Sequence, residues 1–183
     1  QAGNASYNPA PAGERSSNEP QVGGNPPDYC ASRGNQPWVE WIERVTFADI
    51  DHSSFKDLYG DYTNVSTNVS TNAERGLSYS IDLDPGLSWS GHQTDLFWRV
   101  WIDFNRDGDF EDVGEKVVEA NNGNATVNTS LTIPAAAPLG ATRMRVSMKK
   151  GAYPEPCEIF EQGEVEVYTV NVTDGSGGPT CSN

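Results

Sequence analysis

The feature that most narrows the fold is a period of two in the apolar residues. In Leu77-Ser78-Tyr79-Ser80-Ile81-Asp82-Leu83 the large apolar side chains take alternate positions. The pattern returns in Thr126–Ile133, with Val127, Leu131 and Ile133, and in Thr142–Met148, with Met144, Val146 and Met148. Successive side chains of a strand point to opposite faces, so alternation marks a strand with one face buried. Gln36–Phe47 predicts a strand with Val39, Trp41, Val45 and Phe47 on one face. Asp95–Phe104 is apolar on both faces, with Leu96, Trp98, Val100 and Ile102 opposite Phe97 and Trp101. That predicts a central strand covered on both sides. Val165, Val167, Tyr168, Val170 and Val172 form the last strand, and the slip of phase at Tyr168 predicts a bulge. Turn signals stand at Asp84-Pro85-Gly86, Asn122-Gly123 and Ala137-Pro138-Leu139-Gly140. No stretch of helical period exceeds a turn or two. Roughly seven to nine strands at this spacing make an all-β chain, a β-sandwich of jelly-roll or immunoglobulin-like form.

The alternation is confined to residues 29–173. Residues 1–28 are rich in Pro, Gly, Asn and Ser with almost no large apolar side chain, and form an extended tail that cannot order itself. Residues 174–183, with Gly175-Ser176-Gly177-Gly178-Pro179, read as a flexible linker. The 183 residues suit one domain with a real core. Twelve Lys and Arg against 26 Asp and Glu give a formal charge of −14. Such a surface repels nucleic-acid backbones and anionic lipid. No run of about 18 apolar residues is present to insert into a bilayer as a helix. The chain starts at Gln1 without a basic-then-apolar leader and is read as a mature or excised product.

Six acidic side chains fall between positions 103 and 115, against one Arg. Oxygen donors alternate at Asp103, Asn105, Asp107 and Asp109, Asp112 follows, and Gly108 sits where the backbone must turn. A hard cation such as Ca²⁺ takes six to eight oxygens at about 2.3–2.6 Å, and a short loop of this kind wraps one. Without a counter-ion these carboxylates repel each other. The expected metal ligands are Asp103, Asn105, Asp107, Asp109 and Asp112, with Ca²⁺ as the cofactor; a solvated acidic turn is the alternative. The loop is not an EF-hand, since its twelfth position is Gly114. It follows the most buried strand and would cap the sandwich edge.

Of the three cysteines, Cys30 and Cys157 lie near the two ends of the patterned region and are the expected disulfide. Cys181 is then free or joined to another chain, and three buried thiols are the alternative. Asn-X-Ser/Thr sequons at Asn4, Asn64, Asn68, Asn124, Asn128 and Asn171 offer glycosylation sites if the producing cell has the transferase.

Several motifs fall in one order: Tyr29-Cys30, Trp41-Ile42-Glu43-Arg44-Val45, Tyr62-Thr63-Asn64-Val65-Ser66 and Trp101-Ile102-Asp103-Phe104-Asn105-Arg106-Asp107-Gly108-Asp109-Phe110. Thr142-Arg143-Met144-Arg145-Val146, Pro156-Cys157 and Gly163-Glu164-Val165-Glu166 complete the set. Over roughly residues 29–173 this resembles the GEVED domain family of large secreted and surface-attached bacterial proteins. The resemblance implies an accessory β-sandwich beside proteases, adhesins and polysaccharide-degrading modules, and no catalytic activity of its own. The family motif usually ends in Asp-Tyr, whereas Val167 precedes Tyr168 here. Any support that Asp gives the metal or a neighbouring strand is missing.

No catalytic constellation stands out, and no enzyme is expected. His52 and His92 lie in polar, turn-like stretches and read as exposed loop residues. There is no Gly-X-Ser-X-Gly elbow, His-Glu-X-X-His helix or phosphate-cradling loop. Glu164 and Glu166 share a strand face and are expected to form a charge network with Arg143 and Arg145 of the preceding strand. Trp98 and Trp101 read as core, while Trp38, Trp89 and Tyr153, in or beside turns, are candidate sugar platforms.

The tail needs something to hold it. Laid against a neighbouring subunit, it would add a strand to an exposed sheet edge, and repetition would build a filament. The expected function is therefore a non-catalytic, calcium-binding extracellular domain with a structural or adhesive role. Its partners would be copies of itself or neighbouring domains of a surface protein. The alternative is a carbohydrate-binding module of a larger secreted enzyme, with polysaccharide as the partner.

Overall fold

The computed structural model describes residues 29–54, 63–64, 69–88 and 95–175. The tail, Tyr62, Trp89, His92, Cys181 and the sequons at Asn4 and Asn68 lie outside the described residues. The described residues form eleven strands: β1 (Arg33–Gln36), β2 (Glu40–Phe47), β3 (Ile50–Ser53), β4 (Thr63–Asn64), β5 (Ser70–Glu74), β6 (Ser78–Leu87), β7 (Leu96–Ile102), β8 (Lys116–Asn121), β9 (Val127–Thr132), β10 (Gly140–Lys150) and β11 (Ile159–Thr173). Among the described residues there is no helix, and so none long and apolar enough to cross a membrane.

The strands form two sheets packed as a β-sandwich. One has the order β3-β2-β6-β9. The other runs β1-β11-β10-β7-β8, with β4 and β5 also on β11. The 15-residue β11 is its spine. One side of β11 pairs antiparallel with β10, while β1, β4 and β5 dock in parallel along the other. The core between the sheets holds Val45, Phe47, Ile81 and Leu83 from one side and Trp98, Val100, Met144, Val146, Tyr168 and Val170 from the other.

The alternating segments give β6, β9 and β10 as expected, and β7 lies between β10 and β8. Four details differ. Gln36–Phe47 is two strands, and the register of β2 against β6 shifts between Ile42 and Arg44. This bulge changes the phase, so Ile42 joins Val45 and Phe47 in the core while Trp41 faces outward. Asp84-Pro85-Gly86 is not a turn but lies inside β6. Among the described residues no strand pairs with β6 beyond Leu83 on its β9 side, where a proline lacking an N–H is tolerated. The bulge expected at Tyr168 is absent, because β10 and β11 stay in register from Gly140↔Val172 to Lys149↔Gly163. The apparent slip arises because β11 is buried on both faces between Gly163 and Tyr168.

Candidate metal centre

The acidic segment leaves the end of β7 at Ile102 and returns at β8. Asp103 anchors it from beneath. Its side chain is 0 % exposed. Oδ1 accepts from the Arg106 N–H at 2.6 Å, and Oδ2 accepts from the Gly108 N–H at 3.2 Å and the Tyr29 hydroxyl at 2.5 Å. The Asp103 N–H donates to the Arg143 carbonyl at 3.0 Å, and the Asp103 carbonyl accepts from the Thr142 hydroxyl. Arg106 (φ 65°) and Gly108 (φ 99°) take the left-handed conformation that folds the loop back on itself. Glu115 closes the loop, accepting from the Phe104 N–H at 3.0 Å and the Asp112 N–H at 3.4 Å. Burial, reinforced by the charge of Asp103, pushes the Glu115 carboxyl up to about 7.

Above this floor, side chains hold the backbone two residues on. Asn105 Oδ1 accepts from Asp107 N–H, Asp107 Oδ1 from Asp109 N–H, and Asp109 Oδ1 from Glu111 N–H. The result brings carboxylate oxygens of Asp107, Asp109 and Asp112 within 4.8 Å of one another. Asn105 meets them with its amide nitrogen, 2.8 Å from Asp107 Oδ2 and 2.6 Å from Asp112 Oδ2. Its hydrogen bond, followed by that of the Asp109 N–H, draws the Asp107 carboxyl below its ordinary value. Of the five ligands expected from sequence, three carboxylates converge, Asn105 stands beside them as a donor, and Asp103 is turned inward. The donor set fits a hard divalent cation, being all carboxylate oxygen with no thiolate or imidazole.

The loop's inner side rests on a second apolar layer outside the sandwich core. The Tyr29 and Phe110 ring centroids are 5.2 Å apart, and Phe110 also faces Trp101 at 6.4 Å. The Arg143 guanidinium lies 4.0 Å over Tyr29 and that of Arg145 lies 4.9 Å over Phe110. Arg145 also donates to the carbonyls of Cys30 and Pro156. Cys30 and Cys157 form the expected disulfide. Burial first, and then the hydrogen bond to Asp103, push the Tyr29 hydroxyl far above its ordinary value. Tyr29 was not among the expected site residues; its place beside Cys30 was the available signal.

The Gly-Glu-Val-Glu segment is in β11. Val146 stands opposite Glu166 and Val167 opposite Arg145, so the two acids face the sandwich interior and the two arginines lie buried on the other side of the sheet, in the layer beneath the acidic loop. The expected Arg–Glu network is therefore replaced by separate roles on opposite faces. Glu164 Oε2 accepts from the Ile42 N–H at 2.8 Å, where β2 bulges. Glu166 Oε2 accepts from the Tyr168 hydroxyl at 2.5 Å, and that hydroxyl is 3.2 Å from His52 Nδ1. Burial pushes the Glu166 carboxyl up to about 8, with Glu164 adding to the rise and the hydrogen bonds of Tyr168 and Ser54 opposing it. His52 is not in an exposed loop. It is on β3, half-buried against Tyr168, and burial lowers its basicity.

The remaining expected site residues are dispersed. Trp38 is exposed in the turn between β1 and β2. Tyr153 is half-buried, edge-on to Phe97 at 4.8 Å, with the Arg99 guanidinium 5.0 Å over its ring. Asn124 lies in the turn after β8, Asn128 is exposed on β9, Asn64 belongs to β4, and Asn171 is half-buried on β11.

A search of curated proteins finds no match to this chain. The family model of the GEVED domain matches residues 97–171, from β7 through the acidic loop to β11. The matched stretch contains the anchored loop and the Gly163-Glu164-Val165-Glu166 segment, so over residues 97–171 the match supports the resemblance to the GEVED domain family that those motifs carry.

Proposed function

We propose that the chain is a non-catalytic, extracellular accessory domain whose acidic loop takes up Ca²⁺ and so fixes one rim of the sandwich, in a structural or adhesive role within a larger surface protein. The observation that carries this reading is the convergence of Asp107, Asp109 and Asp112 on a loop whose floor is already built by Asp103 and Glu115. Two like charges about 4 Å apart repel by about 1 kcal/mol in water and more where water is excluded. A divalent ion reverses the sign of that term. The GEVED match supports the accessory role. The proposed partners are other copies of the chain or neighbouring domains.

Thermal melts in CaCl₂ and in chelator test the metal. A ligand bound only by the folded state stabilises it by about 2.7 kcal/mol at 100 times its Kd. The melting temperature should rise with Ca²⁺, and Asp107→Ala should remove most of that response. Equal melts in Ca²⁺ and in chelator would refute the metal. Sedimentation of the full chain beside a version lacking residues 1–28 tests self-association, which requires the full chain alone to polymerise.

A further inference from the structure

Trp41 points away from the core, between the buried residues Glu40 and Ile42 on β2. Its cross-strand partner on β6 is Gly86. A methyl group on Gly86 would fall 2.1 Å from Cε2 and 2.2 Å from Nε1 of the indole, so the ring lies across the glycine. Nε1 donates to Glu43 Oε2 at 2.6 Å and fixes the ring's rotation. Trp41 as a residue is half-buried, and with one side of the indole laid against Gly86 it is the opposite side that a ligand could reach. The rest of this sheet face is polar and held in place. Asp82 accepts from Thr46 at 3.1 Å and from Asn128 at 2.8 Å, and Asp84 accepts from Thr126 at 2.5 Å.

We propose that the outer face of the four-stranded sheet binds a neutral polysaccharide, with Trp41 as the platform on which a sugar ring stacks. The flat C–H face of a pyranose matches an indole held parallel to the sheet. Sugar hydroxyls both donate and accept, and so can meet Glu43 at the ring and the carboxylates, amide and hydroxyls farther along the same sheet face. Charge selects among glycans. Asp82, Asp84 and Glu43 line the face of a chain with a formal charge of −14, and Arg44 is committed to Asp51 at 2.7 and 2.8 Å. An acidic polysaccharide is therefore repelled and a neutral one is not. The platform is separate from the acidic loop, which leaves the other sheet.

The test is electrophoresis of the full chain through native gels containing hydroxyethyl cellulose, soluble xylan or polygalacturonate, with chelator present. The expected result is retardation by at least one neutral polymer and none by polygalacturonate. Trp41→Ala should abolish it in protein whose near-ultraviolet circular dichroism shows it folded. If Trp41→Ala fails to fold, Trp41→Phe keeps a smaller ring over Gly86 and should weaken retention roughly tenfold, or about 1.4 kcal/mol. Absence of retardation in both neutral polymers, equal retardation by polygalacturonate, or undiminished retention by the variant would overturn the proposal. Because chelator is present throughout, loss of the calcium reading would leave this result standing.

Discussion

At the scale of single residues, the Asp103 carboxylate joins the loop to the layer beneath it. It accepts from Tyr29, from Arg106 and from Gly108, and it is out of reach of solvent. A hydrogen bond to a charged group contributes about 1.5–3 kcal/mol, so Tyr29→Phe should lower the unfolding free energy by that order. Urea denaturation measures it, and an unchanged midpoint would mean that this bond adds no net stability. Glu166 makes a prediction of opposite character. An unfolded chain releases this proton near 4.5, whereas the folded protein holds it until about 8. Between those values the unfolded state binds fewer protons, so the stability this group contributes falls as pH rises. Glu166→Gln keeps the shape without the charge. Melts at pH 5, 7 and 9 should show a weaker decline for this variant than for the parent, and parallel declines would count against the assignment. The groups facing it are Glu164, Tyr168, His52 and Ser54.

Among the elements, β11 shows why the family segment opens with glycine. Gly163 has φ +120°, and a methyl group there would fall 2.0 Å from the Met148 carbonyl oxygen. Across β11, a methyl on Gly34 would fall 1.9 Å from the Gly163 carbonyl oxygen. Three strands converge here more closely than side chains allow. Strain at one such backbone position costs of order 1–3 kcal/mol, and the clash adds to it, so Gly163→Ala should cost at least about 2 kcal/mol in denaturant unfolding. A loss below 0.5 kcal/mol would show that the strands separate easily. Neither contact was legible in the sequence, because glycine carries no pattern. What could be read was long strands with one wet face: β6, β9 and β10 announce themselves by alternation. The short strands β1, β4 and β5 do not, since main-chain bonding to β11 defines them and their side chains are largely polar. The acidic loop was legible as a cluster of oxygens, but not the division of labour within it. Asp103 and Asp107 are the same residue type, and only the strand end that buries one of them tells them apart. Alternation alone puts Trp41 on the core side, because a bulge reverses phase without changing composition.

For the molecule as a whole, the disulfide determines how much of the fold the unfolded chain remembers. Cys30 and Cys157 are 127 residues apart. In the chain-entropy model, closing a loop of that length removes about 4–5 kcal/mol of unfolded-state freedom. Cys30→Ser with Cys157→Ser should therefore lower the melting temperature markedly. It should also free Tyr29 from its place under the acidic loop and weaken the gain from added Ca²⁺, which melts with and without the ion would register. A double variant that melts with the parent would contradict this account. The same bond redirects mechanical load. Tension arriving along the backbone at Cys30 crosses directly to Cys157 and continues into β11, so the strands between them lie outside the pulled path. An extended strand already spans about 3.3 Å per residue, close to the limit of a stretched backbone. While the sulfur bridge is intact, this sandwich should behave under traction as a short, nearly inextensible link that lengthens only on reduction.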